Sequence, residues 1–159
     1  MKALFAGSFH PPTKGHIDIV LRGAQIFDEV VVAVMINSQK RYVIPPEARV
    51  EMLETCLKSA KNVRVVYSDG LTSELAKALD CGVLLRGVRD CSDYEYELRQ
   101  AEINKTLTGV ESLFLPCDPS LGAVASSIVM DIAGHGGDIS AFVPPEIHST
   151  ILTFIGKGV

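Results

Sequence analysis

The segment GSFHPPTKGH, residues 7–16, carries the side chains of this sequence that are best suited to binding an anion. It follows a short apolar run and precedes an amphipathic stretch, so free N–H groups and the positive end of a helix dipole should meet there. Gly15 permits a close approach to the backbone. Hydrogen-bond donors come from Ser8, Thr13 and His16. We expect a phosphate site here, although the segment alone also fits an ordinary loop in which Thr13 caps the helix.

Further cations and hydroxyls follow the other predicted strands. They are Lys40 and Arg41 after the second strand, Arg86 and Arg89 after the fourth, and Ser126 and Ser127 at the helix start after the fifth. Carboxyl ends of parallel strands meet at one edge of a sheet, so these groups should lie close together. Four cations at one edge suit a polyphosphate, which arginine binds with matched geometry. The loop is neither a Walker A loop nor a G-x-G-x-x-G turn.

Strand-like and helix-like segments alternate along the chain. The apolar, β-branched runs lie at residues 3–6, 29–35, 63–67, 83–87 and 112–115. Amphipathic stretches separate them, and one more helix follows the prolines near residue 144. Strands that are apolar on both faces favour a buried parallel sheet. We therefore predict one α/β domain over residues 1–159, a Rossmann-like doubly wound parallel sheet with an added C-terminal helix. The pattern alone does not give the strand order.

Composition excludes several functional classes. The net charge of −4 and the pI near 5.5 argue against a general nucleic-acid binder, which normally carries a basic excess. No apolar stretch approaches the roughly 20 residues that a bilayer requires, so we expect no membrane partner. The 4 cysteines form no C-x-x-C pair, which predicts reduced thiols in a cytoplasmic protein and no zinc site.

The motifs together resemble one family. G-S-F-x-P-x-T-x-G-H resembles the T/H-x-G-H signature of the nucleotidyltransferase superfamily. With R-G-V-R-D, D-Y-E-Y-E and the S-S-I-V helix start in that order, nearly the whole chain resembles the phosphopantetheine adenylyltransferases. The resemblance implies transfer of AMP from ATP to 4′-phosphopantetheine, which gives 3′-dephospho-coenzyme A and pyrophosphate. It also implies a homohexamer, and Mg²⁺ held mainly by phosphates and water.

The resemblance also assigns roles to residues. Ser8, His16, Lys40 and Arg89 would be catalytic, and substrate would contact Ser8, Lys40, Leu71, Thr72 and Arg86. The ATP side would comprise Ser8, Phe9, His16, Gly87, Val88, Arg89, Glu97, Leu121, Gly122, Ala123, Val124, Ala125, Ser126 and Ser127. No protein nucleophile is implied: a substrate phosphate oxygen attacks the α-phosphorus in line, and catalysis comes from positioning and charge stabilisation.

Three motifs depart from the family pattern. His10 replaces the aspartate of G-[ST]-F-D-P, where it either donates to a phosphate or is simply a loop residue. Ala125 and Met130 remove a hydroxyl and a cation from the helix start that usually reads I-S-S-S-x-V-[RK]. N-S-Q-K replaces N-P-x-K but keeps Lys40. These changes put affinity and rate in question more than reaction type.

Other functions stay open on the sequence. One is a related nucleotidyltransferase for a different phosphorylated acceptor, such as nicotinamide mononucleotide or glycerol 3-phosphate. Another is a catalytically weakened module that binds ATP or coenzyme A, because His10, Ala125 and Met130 depart from the pattern. A flavin-binding module is a third, although four cations suit a triphosphate better than a single phosphate.

Overall fold

A computed structural model describes residues 1–37 and 39–157 of the chain. Its one sheet contains the parallel strands β1 (Lys2–Gly7), β2 (Glu29–Met35), β3 (Val63–Ser68), β4 (Val83–Val88) and β5 (Glu111–Pro116). The helices are α1 (Lys14–Ile26), α2 (Pro46–Leu57), α3 (Thr72–Ala78), α4 (Cys91–Thr108), α5 (Ser126–Gly134) and α6 (Pro145–Lys157). The predicted α/β sheet with an added C-terminal helix is confirmed. Within the described ranges, no helix is long and apolar enough to cross a bilayer.

The strand order is β3-β2-β1-β4-β5, which places β1 at the centre of the sheet. The chain adds strands outward from β1 to β3 and then returns to pair β4 with the other side of β1. The connection after β1 therefore leads to one side of the sheet and the connection after β4 to the other. A crevice opens between them, beyond the carboxyl ends of these two strands. Neighbouring residues on β2, from Val30 to Val34, are fully buried because both faces of the sheet are covered.

Two glycines bring α1 close to β4. A Cβ atom at Gly23 would lie 2.6 Å from Cδ2 of Leu85, and one at Gly87 would lie 2.9 Å from Cγ1 of Ile19. Leu85 and Ile19 are each 1% exposed, so neither side chain has free space to move into. The middle of α1 is thereby held against β4, beside the crevice that Ile19 lines.

We expect Gly23→Ala to destabilise the fold by about 1–3 kcal/mol, because overpacking at Leu85 outweighs the gain of at most about 1 kcal/mol in helix propensity. Chemical denaturation of both proteins measures the difference. Gly134→Ala in α5 is the matched control: among the described residues a methyl group there meets no atom within 4 Å, so stability should stay equal or rise. Unchanged stability in Gly23→Ala would show that α1 can shift without cost.

A second apolar cluster joins α6 to the loops around the crevice. Its fully buried members Ile147 and Ile151 lie on α6, whereas Ile44 lies before α2 and Val124 lies before α5. The backbone N–H of Lys14 donates to the carbonyl of a residue just before α6, Phe142, at 2.9 Å. The C-terminal segment therefore supports the start of α1, the end of the β2–α2 loop and the segment before α5.

Candidate active site

The crevice between the ends of β1 and β4 has a volume of about 380 Å³. The phosphate loop, defined as residues 7–16, forms one wall, and the segment from Arg86 to Arg89 forms another. The start of α5, with Ser126 and Ser127, lies at the same crevice. Three of the four segments that the sequence predicted to converge therefore lie around one cavity, whereas the loop that carries Lys40 and Arg41 contributes no lining residue among those that the structure describes.

A buried phenylalanine sets the shape of the phosphate loop. Phe9 has φ 45°, a left-handed conformation that a bulky side chain adopts at a cost of about 1–3 kcal/mol. Its ring is 1% exposed and packs edge-on against Phe5 at 5.6 Å and against His16 at 5.0 Å. Burial of this ring offsets the backbone cost and holds the loop in its sharp turn.

His16 caps its own helix together with Thr13. The backbone N–H of Thr13 donates to Nδ1 of His16 at 3.1 Å, and the hydroxyl oxygen of Thr13 accepts from the backbone N–H of His16 at 3.4 Å. A backbone N–H can only donate, so Nδ1 of the neutral ring is the acceptor and Nε2 carries the proton. The ring lines the crevice, where this Nε2–H is the donor left for a phosphate oxygen.

Desolvation by burial lowers the pKa of His16 to about 4, and the positive charge of Arg89 acts in the same direction. His16 is therefore uncharged at neutral pH. In this state its ring can donate one hydrogen bond but carries no positive charge.

This pKa predicts a pH-dependent contribution to stability. Because the folded state resists protonation of His16, the contribution of this residue to folding stability is complete above about pH 6.5. It is lost as the pH falls toward about 4. It amounts to about 3 kcal/mol at most. The His16→Asn variant has no titrating group there, yet its amide oxygen can accept from Thr13 as Nδ1 does. Urea unfolding should show that the free energy of unfolding of the wild type, relative to that of this variant, decreases as the pH is lowered. A difference that does not change with pH would contradict the assignment.

Both arginines of the R-G-V-R-D segment are held by carboxylates on α4. The Nε and Nη2 atoms of Arg86 donate to Glu97 at 2.5 and 2.8 Å, and Nη1 donates to the carbonyl of Ala6 at 2.8 Å. Arg89 donates to Asp93 from Nε at 3.3 Å and from Nη2 at 3.0 Å. Asp93 and Glu97 are four residues apart, so they lie on the same face of the helix.

Asp93 is a site residue that the sequence analysis missed. It lines the crevice, and its Oδ2 atom also accepts from the backbone N–H of Arg89 at 3.1 Å. Burial acts to raise its pKa, but the hydrogen bonds from Arg89 and the positive charges of Arg89 and Arg86 together outweigh burial and hold the pKa below its usual value. The separation of four residues between Arg89 and Asp93 is the sequence feature that could have indicated this pair. Asp93 was not predicted because a carboxylate is not an obvious component of a phosphate site.

Comparison with known proteins shows the family. The cytidylyltransferase-like family model matches residues 4–150. The chain is 43% identical to the phosphopantetheine adenylyltransferase of a Nocardioides species, over 99% of both chains. It is 45% identical to that of Caldanaerobacter subterraneus subsp. tengcongensis, over 94% of both chains. The chain belongs to the phosphopantetheine adenylyltransferase family. The sequence-based prediction of a nucleotidyltransferase of this family is therefore confirmed.

A more distant solved structure shares the fold. It is named as a nicotinate-nucleotide adenylyltransferase from Vibrio parahaemolyticus, superposes with a TM-score of 0.69, and covers 99% of this chain and 96% of its own. Its sequence identity is 16%, so the likeness extends to the fold and not to the acceptor.

Most of the residues that the phosphopantetheine adenylyltransferase motifs assign to ATP lie together. Those that line the crevice are Ser8, Phe9, His16, Gly87, Arg89, Glu97, Leu121, Val124, Ala125, Ser126 and Ser127, together with the substrate-side Arg86. Val88, Gly122 and Ala123 belong to the same segments but do not line it.

Three residues predicted to bind the acceptor lie outside the crevice lining. Lys40 is exposed on the β2–α2 loop, Leu71 is the exposed cap of α3, and Thr72 is the first residue of that helix. All three follow strands that end at the same edge of the sheet. Their roles toward the acceptor stay predictions.

The departures from the phosphopantetheine adenylyltransferase pattern at α5 have a structural explanation. Ala125 is the cap residue of α5 and makes no side-chain capping bond. The hydroxyl of Ser126 donates instead to the carbonyl of Pro11 at 2.8 Å, which ties this helix start to the phosphate loop. Met130 packs against the second apolar cluster. The helix start thus keeps its position without the usual hydroxyl and cation.

Proposed function

We propose that the protein transfers AMP from ATP to 4′-phosphopantetheine in the cytoplasm, producing 3′-dephospho-coenzyme A and pyrophosphate. The observation that carries the proposal is the convergence, in one crevice, of the Nε2–H of His16 and the carboxylate-held guanidinium of Arg89. Both groups are fixed before any ligand arrives, as electrostatic catalysis of transfer at phosphorus requires. Full-length identity of 41–45% to phosphopantetheine adenylyltransferases supports the choice of acceptor.

In the proposed reaction a phosphate oxygen of the acceptor attacks the α-phosphorus of ATP, the bond to the β-phosphate breaks, and pyrophosphate leaves. The start of α1 and the Nε2–H of His16 bind phosphate oxygens, and Arg89 balances the charge of the leaving group. Lys40 approaches the reacting phosphorus from the β2–α2 loop. These groups orient the reactants and stabilise charge, and none forms a covalent bond.

We propose that Mg²⁺ acts with ATP and is held by phosphates and water. No group of three His, Cys, Asp or Glu side chains within residues 1–37 and 39–157 is arranged to hold a metal ion. Asp93 and Glu97, the acids in the crevice, are bonded to arginines. A phosphate-bound ion fits these residues better than one held by side chains, and it would neutralise phosphate charge.

We propose that the protein is a homo-oligomer, and by resemblance a homohexamer, joined through α4 and β5. Helix α4 has 18 residues and none of them is buried. Its exposed apolar side chains include Tyr94, Ile103 and Leu107, and Leu113 of β5 is also exposed. An apolar surface of this kind on a helix marks an interface. Light scattering should give a mass near six chains, and a monomer would contradict the proposal.

The deciding experiment measures pyrophosphate release from purified protein with ATP, Mg²⁺ and 4′-phosphopantetheine, beside nicotinamide mononucleotide and glycerol 3-phosphate as control acceptors. Release that depends on phosphopantetheine is the expected result. Release only with a control acceptor would reassign the acceptor within the superfamily. A folded protein that binds ATP but releases no pyrophosphate would instead be a nucleotide-binding module.

A further inference from the structure

A cluster of three side chains, here called the latch, lies at the β2–α2 loop that carries Lys40. Its members are His10, Tyr42 and Arg49. His10 lies in the phosphate loop, Tyr42 in the β2–α2 loop and Arg49 on α2. The rings of His10 and Tyr42 are 5.2 Å apart with an edge-to-face geometry. The guanidinium carbon of Arg49 lies 4.3 Å from the centroid of the Tyr42 ring, a cation–π distance. The latch therefore joins three chain segments.

His10 bonds to the end of the loop that carries Lys40. The backbone N–H of Ile44 donates to Nε2 of His10 at 3.1 Å, so Nε2 has no proton. Ile44 is fully buried in the second apolar cluster. At the other end of the loop, the backbone N–H of Asn37 donates to the hydroxyl of Tyr42 at 3.3 Å. Both ends of the segment that contains Lys40 are thus fixed to the latch.

Arg49 connects the latch to the phosphate loop. It is 0% exposed, and its Nη1 atom donates to the carbonyl of Ser8 at 2.6 Å. Its Nε and Nη2 atoms have no hydrogen-bond partner within the described residues. Where the family carries an aspartate, His10 supplies an uncharged acceptor beside this buried cation. Burial and the charge of Arg49 lower the pKa of His10 to about 4, which keeps it neutral.

We propose that His10 is a positioning residue that sets the location of Lys40 by fixing the β2–α2 loop to the phosphate loop. The proposal rests on the proposed function, because it assigns Lys40 to the reacting phosphorus. His10 does not line the crevice, so it acts through the loop and not on ATP. A misplacement of a charged group by about 1 Å can cost about 100-fold in rate, so loss of this bond should affect turnover more than ATP affinity.

A double-mutant cycle tests whether His10 acts through Lys40. We expect His10→Ala to lower kcat by about 10- to 100-fold, while the Kd for ATP, measured by calorimetry without acceptor, changes by less than about twofold. His10→Gln should recover most of the rate, because its carbonyl oxygen can accept from the N–H of Ile44. In a Lys40→Ala background, His10→Ala should have no further effect. Independent, multiplicative losses or a large rise in the Kd for ATP would overturn the proposal.

Two further variants keep the test decisive. If His10→Ala does not fold, Tyr42→Phe keeps the ring but removes the hydroxyl that accepts from Asn37, and it should give a smaller loss that is also absent without Lys40. His135→Ala, at an exposed histidine after α5, should leave the rate unchanged.

Limited proteolysis tests the latch without activity. Trypsin should cleave after Lys40 faster in His10→Ala than in the wild type or His10→Gln, because the loop loses one attachment. Equal cleavage rates would overturn the proposal. If the wild type releases no pyrophosphate, the proposed function fails, and the cleavage rates still decide whether His10 holds the loop.

Discussion

His16→Ala is expected to lower turnover with 4′-phosphopantetheine by about 100-fold or more. The substitution removes the Nε2–H that faces the crevice, and loss of one such preorganised donor typically costs about 100- to 1,000-fold in rate. Because the ring also caps α1 through Thr13, alanine additionally lowers stability by about 1 kcal/mol. Steady-state kinetics at saturating ATP measure the first effect and thermal unfolding the second.

Two isosteres separate these roles of His16. In His16→Asn the amide oxygen can take the place of Nδ1 and accept from Thr13, but the donor at the position of Nε2 is lost. In His16→Gln the amide nitrogen can reach the position of Nε2, but the acceptor for Thr13 is lost. We expect the asparagine variant to keep its melting temperature and lose turnover, and the glutamine variant to do the reverse. The opposite pattern would show that capping, and not phosphate contact, is the contribution of His16.

Lys40→Ala is expected to lower turnover by a similar factor of about 100 with little change in stability. The side chain is exposed, so its removal disturbs no packing, and its charge counts only when the reactants are bound. The effect should therefore appear in kcat and not in the Kd for ATP. A loss of ATP affinity at constant kcat would place Lys40 in ground-state binding.

The neighbouring Arg41 provides the matched control for Lys40, because the structure leaves it outside the crevice lining and the family motifs assign it no role. It is exposed on the same loop and carries the same charge, so Arg41→Ala reproduces any general change in the electrostatic field. We expect Arg41→Ala to stay within about threefold of the wild-type rate. Equal losses in both variants would mean that the loop attracts anions but contributes no specific group.

The sheet and the position of the crevice could be predicted from sequence because each follows from a local pattern. Runs such as residues 29–35 are apolar on both faces, which favours a covered parallel strand. The glycine, hydroxyls and imidazole of residues 7–16 stand between a strand and a helix, so topology alone fixes their place at the sheet edge. The capping box between Thr13 and His16 then positions the donors.

The pairing of side chains within the site could not be predicted in the same way. Arg86 and Arg89 were predicted as cations that bind phosphate, but their ion pairs with Glu97 and Asp93 of the next helix were not predicted. Which acid reaches which arginine depends on how α4 packs beside β4, and residue spacing does not specify that angle. The burial of Arg49 could likewise not be predicted, because an arginine on a helix is normally exposed.

The contacts between the C-terminal segment and the loops near the crevice affect the order in which parts of the protein mature during synthesis. The N–H of Lys14 donates to Phe142, and Ile44 and Val124 pack in the same cluster as Ile151. During synthesis the five strands are made before Phe142 and Ile151, because both residues follow β5 and the chain grows at only about 5–20 residues per second. A nascent chain that ends before α6 can pair its sheet but lacks the support for its phosphate loop. ATP binding should therefore mature last, after the sheet has formed.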